Sequence, residues 1–263
     1  MPALETLATG LAFSECPRWH DGRLVFSDMH AKRVHALTTD GTLSTLFEFD
    51  DQPAGLGWDP EGRMLWVAMT TRQLRRVEPD GSITVVADLH DLASFHCNDM
   101  VVTAQGGAYI GNFGFDLDGG GQPCFTNLVY VAPDGTPREV AADLGFPNGM
   151  VILPGDTTLV VGESWKGRLT AFDIAPDGSV QMVIEEQVVL RGDTLDRGYD
   201  LTTLEQGRVH RGQRGQHISG WHGDHDMRGG GEHFGRTCGE MQFGGVEFDG
   251  AEVLRIVVVF LQV

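Results

Sequence analysis

An Asp-Gly pair recurs at Asp40-Gly41, Asp80-Gly81, Asp134-Gly135 and Asp177-Gly178, at intervals of 40, 54 and 43 residues. This spacing constrains the fold more than any other feature of the chain. Asp-Gly supplies the positive φ values that tight hairpin turns require. Each pair is preceded by two short runs in which apolar and polar residues alternate, and most are followed by a third. Leu24-Val25-Phe26 and Val34-His35-Ala36-Leu37 precede Asp40, and Leu43 to Phe49 follow it. Met64-Leu65-Trp66-Val67 and Leu74-Arg75-Arg76-Val77 stand in the same places before Asp80. Alternation with period two lays one face of a strand against a core, so each unit reads as an antiparallel meander. Repetition of such units at roughly 40 residues predicts a β-propeller. No segment has a sustained helical period, and the chain is expected to be all-β. The longer middle interval holds the Gly-rich stretch from Phe115 to Asn127, which predicts a surface loop inserted in one blade.

Charge narrows the possible partners. The 263 residues carry 37 acids against 19 bases, a net charge of −18. Such a surface repels phosphate backbones and anionic lipid, so nucleic acid and membranes are not expected partners, while cations are. The chain is read as a single domain over residues 1–263. Its opening, Met1-Pro2-Ala3-Leu4-Glu5, has no basic region and no apolar run of secretory type, which predicts a cytoplasmic location. The longest apolar run, Ile256 to Leu261, is too short to span a bilayer. Cys16, Cys97, Cys124 and Cys238 form no CxxC pair and read as reduced thiols.

Four segments between the repeats differ from the rest. They are Phe13 to Trp19, Gln52 to Trp58, His96 to Val102 and Phe146 to Ile152. Read as loops ahead of the innermost strand of each blade, they would deliver their polar residues to the mouth of the central channel. Glu15, Asn98 and Asn148 then converge on one axis. A carboxylate and two amide carbonyls are hard oxygen donors, suited to Ca²⁺, Mg²⁺ or Mn²⁺. Asn-Asp and Asn-Gly are also ordinary turn residues, which is the competing reading of the same positions. Glu163 reads as a strand-end carboxylate, and Trp58, Trp66 and Trp165 as packing residues.

Ser14-Glu15-Cys16-Pro17-Arg18-Trp19, His96-Cys97-Asn98-Asp99-Met100 and Phe146-Pro147-Asn148-Gly149-Met150 resemble motifs of the SMP-30/gluconolactonase/regucalcin-like family. Tyr109 to Gly114 and Leu169 to Ile174 resemble it as well. The resemblance implies a six-bladed propeller, one divalent cation in the channel (Ca²⁺ first, with Mg²⁺, Mn²⁺ or Zn²⁺ as alternatives), and hydrolysis of a small lactone or related ester. It implies that Glu15 and Asn148 bind the metal, and that Asn98 lines the pocket and approaches the ion. It also implies that His96 and Asp99 contact substrate. His96 stands where many relatives carry an arginine. The family's remaining metal ligand is an aspartate that also serves as general base. The intervals between Glu15, Asn98 and Asn148 point to Asp200 for that role, with Asp196 as the alternative.

The pattern changes after residue 201. Residues 202–240 hold five of the ten histidines (His210, His217, His222, His225 and His233) and ten glycines, with no alternating strand after Val209. The propeller is thus expected to be complete only if residues 202–263 rebuild its closing blades. A frameshift, a truncated family member and a new metal site at His222, Asp224, His225 and Asp226 are the competing accounts of this segment. A cation-binding propeller without catalysis, or a decayed relative, is the alternative to a lactonase.

Overall fold

The computed structural model describes residues 6–187. They form four four-stranded antiparallel sheets, each a meander in chain order. The first comprises β1 (Ser14–His20), β2 (Arg23–Asp28), β3 (Arg33–Leu37) and β4 (Leu43–Glu48). The second comprises β5 (Pro53–Trp58), β6 (Met64–Ala68), β7 (Gln73–Val77) and β8 (Ile83–Asp88). The third comprises β9 (Cys97–Val102), β10 (Ala108–Asn112), β11 (Thr126–Val131) and β12 (Pro137–Leu144). The fourth comprises β13 (Pro147–Ile152), β14 (Thr158–Glu163), β15 (Arg168–Ile174) and β16 (Val180–Gln187). First strands of successive sheets lie side by side, β1 against β5, β5 against β9 and β9 against β13. This is a β-propeller with four blades among the described residues. None of these residues is helical, and so no helix here is long and apolar enough to cross a membrane.

The repeating turns are built alike. Gly41, Gly81, Gly135 and Gly178 have φ of 85°, 83°, 87° and 79°, each accepting a conformation that a side chain would resist. The aspartate before each glycine accepts a hydrogen bond from the backbone N–H two residues on, at 3.0 Å from Thr42 and 2.9 Å from Ser82, Thr136 and Ser179. These turns join the third strand of a blade to its exposed fourth. The predicted inserted loop is also present, between β10 and β11.

One expectation needs correction. The blades have four strands rather than three, because the segments read as channel-mouth loops are themselves the innermost strands β1, β5, β9 and β13. They look irregular in sequence because each carries a β-bulge in the same place. Cys16-Pro17 oppose Phe26, Ala54-Gly55 oppose Val67, Asn98-Asp99 oppose Gly111, and Asn148-Gly149 oppose Gly162. Two residues against one break the period-two alternation and re-aim the side chains at that point. Trp165 is 47% exposed but packs on Phe115 at 5.7 Å and edge-on to Phe146 at 6.2 Å between ring centroids. Trp66, by contrast, is fully buried and stacks on Phe49 at 3.9 Å, and Trp58 stacks on His20 at 3.7 Å.

Blades approach closely at these bulges. A Cβ on Gly55 would lie 2.4 Å from the backbone nitrogen of Met100 in the neighbouring blade. Gly55→Ala is therefore expected to force the two inner strands apart and to cost about 1–3 kcal/mol, the range for overpacking a close contact. Urea denaturation of the variant checks this. Further out, the blades are joined by side chains, such as the Tyr109 hydroxyl donating to Gly178 O at 3.0 Å.

Candidate metal centre

The candidate ligands fall at or beside the same bulge position of their strands. Asn98 and Asn148 are both the first bulge residue of their strands, and Glu15 immediately precedes the bulge of β1. Asn98 is buried, and its Nδ2 donates to Pro147 O at 3.4 Å, the carbonyl just before Asn148. Asn148 is half-buried and its Nδ2 donates to Ser164 Oγ at 3.3 Å. Both amides thus commit their nitrogen ends to protein acceptors, which leaves their carbonyl oxygens as the ends available to a cation. Glu15 is half-buried opposite Ser27, whose hydroxyl crosses to the second blade and donates to Ala54 O at 2.7 Å. Two residues at these segments hold backbone conformations that non-glycine side chains seldom adopt, Cys16 at φ 51° and Phe146 at φ 57°.

Asp99 is engaged in ways the sequence did not suggest. Its Oδ1 accepts Arg18 Nη2 at 2.7 Å and the Met100 N–H at 2.7 Å. Cys16 is buried close to the Asp99 charge. Burial, and then the charges of Asp99 and Glu15, push the Cys16 thiol well above its ordinary range, so it remains protonated. His96 precedes β9 and stacks on Phe95 at 4.2 Å. Partial burial holds its imidazole below the usual histidine range, against the raising influence of Asp118, Asp51 and Asp116, so it is neutral near pH 7. A neutral imidazole has one donor and one acceptor nitrogen for a substrate oxygen.

Behind these residues lies a set of buried polar clamps that sequence reading missed. Each ties the segment ahead of an inner strand to the end of the second or the start of the third strand. Asp28 accepts the Ala12 and Phe13 N–H groups, the latter at 2.7 Å. Asp51 accepts Thr71 N at 2.8 Å and Thr71 Oγ1 at 2.7 Å. Asn112 accepts Ser94 Oγ, ahead of β9, at 3.5 Å, and Thr126 Oγ1 at 2.5 Å. Glu163, read as an ordinary strand-end carboxylate, is fully buried and accepts Gly145 N at 2.6 Å and Arg168 Nε at 2.6 Å, with Lys166 Nζ at 3.3 Å. The signal was available in part: Asp28, Asn112 and Glu163 are each a polar residue ending a buried run.

Asp200, Asp196 and the His222 to Asp226 segment lie outside the described residues. Among the described residues, no three His, Cys, Asp or Glu side chains are grouped so as to hold a metal. The available donors are instead one carboxylate and two amide oxygens. That set fits a hard cation with several open positions and is a poor match for a thiophilic one.

Comparison with known proteins agrees with this architecture. Residues 13–200 match the family described as SMP-30/Gluconolactonase/LRE-like region. A gluconolactonase of Zymomonas mobilis is 27% identical over 184 residues, 61% of this chain and 51% of that protein, so the chain spans about half the length of this relative. A solved gluconolactonase from Xanthomonas campestris superposes with a TM-score of 0.57 at 25% identity, over 70% of this chain and 65% of that one. Regucalcin from Agrobacterium tumefaciens, a calcium-binding protein, gives 0.59 at 19% identity over 75% and 66%, a likeness of fold. With the match covering most of its length and the blades in place, the chain belongs to the SMP-30/gluconolactonase/LRE-like family.

Proposed function

We propose that this protein is a divalent-cation-dependent hydrolase that opens small lactones. Family membership supports the lactone as substrate class. The observation that carries the site is the paired placement of Asn98 and Asn148 in equivalent bulges, nitrogen ends tied back, with Glu15 at the corresponding edge of β1. Glu15, Asn98 and Asn148 would hold the ion, Ca²⁺ in the first instance. A bound divalent cation supplies Lewis acidity toward a carbonyl oxygen. His96, neutral at the edge of the same strand, would orient a substrate oxygen. Asp200 is proposed as the remaining ligand and as the base that takes a proton from water, with Asp196 as its alternate. Six blades are proposed for the closed ring. A cytoplasmic setting is proposed with this activity.

The test is proton release from a panel of aldonolactones and simple γ-lactones, with purified chain in Ca²⁺ and then in EDTA. Hydrolysis is expected in Ca²⁺ and its loss in EDTA. Folded protein that turns over no lactone with Ca²⁺, Mg²⁺, Mn²⁺ or Zn²⁺ would defeat the reading and leave a cation-binding propeller in its place.

A further inference from the structure

We infer that Arg18 is a positioning residue that fixes the spacing between the Glu15 and Asn98 bulges through its ion pair with Asp99. The inference rests on the cation site proposed above. Sheets of neighbouring blades share no strand ladder, so the spacing of their inner strands depends on packing, on isolated backbone contacts such as Cys97 N–H to Met69 O at 3.2 Å, and on side chains that cross from one to the next. Arg18 crosses two such boundaries. It sits on β1 just past the bulge that follows Glu15. Its Nε donates to Leu56 O on β5 at 3.1 Å, and its Nη1 donates to Pro17 O at 2.9 Å. Its Nη2 donates to Asp99 Oδ1 on β9 at 2.7 Å and also to Met100 O. Leu56 and Met100 occupy the same place in their strands as Arg18 does in β1, immediately beyond the bulge. One planar guanidinium therefore ties three successive blades at equivalent points, which the single ammonium of a lysine has no fork to do.

The acceptor is equally committed. Asp99 is 5% exposed and adjoins Asn98 in its bulge. Receiving Arg18 and the Met100 N–H, its carboxylate acts on the site by anchoring the bulge. Glu15 on one side and Asn98 on the other are then held at a separation set by Arg18–Asp99, and a cation bound between them would sense any slackening.

The test is calorimetric titration of the full chain with Ca²⁺, alongside iodoacetamide labelling of Cys16 read by peptide mapping. Arg18→Met is expected to weaken Ca²⁺ roughly 10- to 100-fold, the range for residues that orient metal ligands. Asp99→Asn should do the same, the double variant should be no worse than either, and Arg18→Lys should recover only part of the loss. Cys16 should label faster in Arg18→Met while Cys97 keeps its protection. Phe172→Leu, a core change in the fourth blade, serves as the control and should leave Ca²⁺ affinity intact at a comparable fall in melting temperature. Wild-type Ca²⁺ affinity in Arg18→Met, or an equal loss in the control, overturns the inference. If the wild-type chain binds no Ca²⁺, the cation-site reading fails by itself. Selective exposure of Cys16 in Arg18→Met would then still establish the strut, and unchanged labelling would remove it.

Discussion

Glu15→Gln is expected to abolish metal-dependent lactone hydrolysis, lowering kcat/KM by at least about 10²-fold, the scale on which one electrostatic stabiliser is lost. Gln preserves the shape and one oxygen donor but removes the negative charge. Asn98 and Asn148 are neutral, so Glu15 is the one formal charge among the described members of the proposed donor set. A hard divalent ion loses its main Coulomb attraction when that charge goes. Asn148→Ala should act in the same direction by deleting an oxygen. Its only described side-chain partner is Ser164, at 3.3 Å, so the fold should tolerate the change. Parallel Ca²⁺ titration and circular dichroism separate a lost ligand from a lost fold. Full activity in either variant would remove the site.

The largest expected effect on stability lies elsewhere, at Glu163. Glu163→Ala should cost about 3–5 kcal/mol, because it leaves Arg168 and Lys166 without their buried counter-charge and Gly145 N–H without an acceptor. Urea denaturation measures it, and Glu163→Gln should cost less because hydrogen bonds survive. The clamp also carries a pH signature. Burial raises the Glu163 carboxyl, but hydrogen bonds from Thr170, Arg168 and Gly145 outweigh it, so the group lies below its ordinary 4.5. Asp51 is likewise pushed up by burial and brought below 3.8 by Thr70, Thr71 and Gln52. A carboxylate whose folded value is depressed stabilises the fold above its unfolded value and loses that contribution as pH falls toward the folded one. The protein should therefore lose stability as pH drops below about 4.5, and Glu163→Gln should flatten the upper part of that loss.

Much of the fold was legible because its signals are local. A period of two identifies a half-buried strand within a few residues, and Asp-Gly turns carry their own acceptor and their own positive φ. Asp134-Gly135 needed no partner outside its turn to be recognised. The inner strands were misread as loops for an equally local reason. Pro17, Gly55, Asp99 and Gly149 are poor strand formers, and the bulges that accommodate them erase the alternation by which a strand is seen.

The amino-acid sequence alone thus determined an all-β repeat, its Asp-Gly hairpins, its acidic surface, and the candidacy of Glu15, Asn98 and Asn148. Only the tertiary structure decided that these three belong to bulged strands, that Asp99 is tied to Arg18, and that Glu163 is buried between cations. Arg18 and Asp99 are 81 residues apart in the chain and 2.7 Å apart in space. Turn chemistry and strand period are written in neighbouring residues, whereas a partner from another blade is chosen only when stacked sheets bring equivalent positions together around the axis.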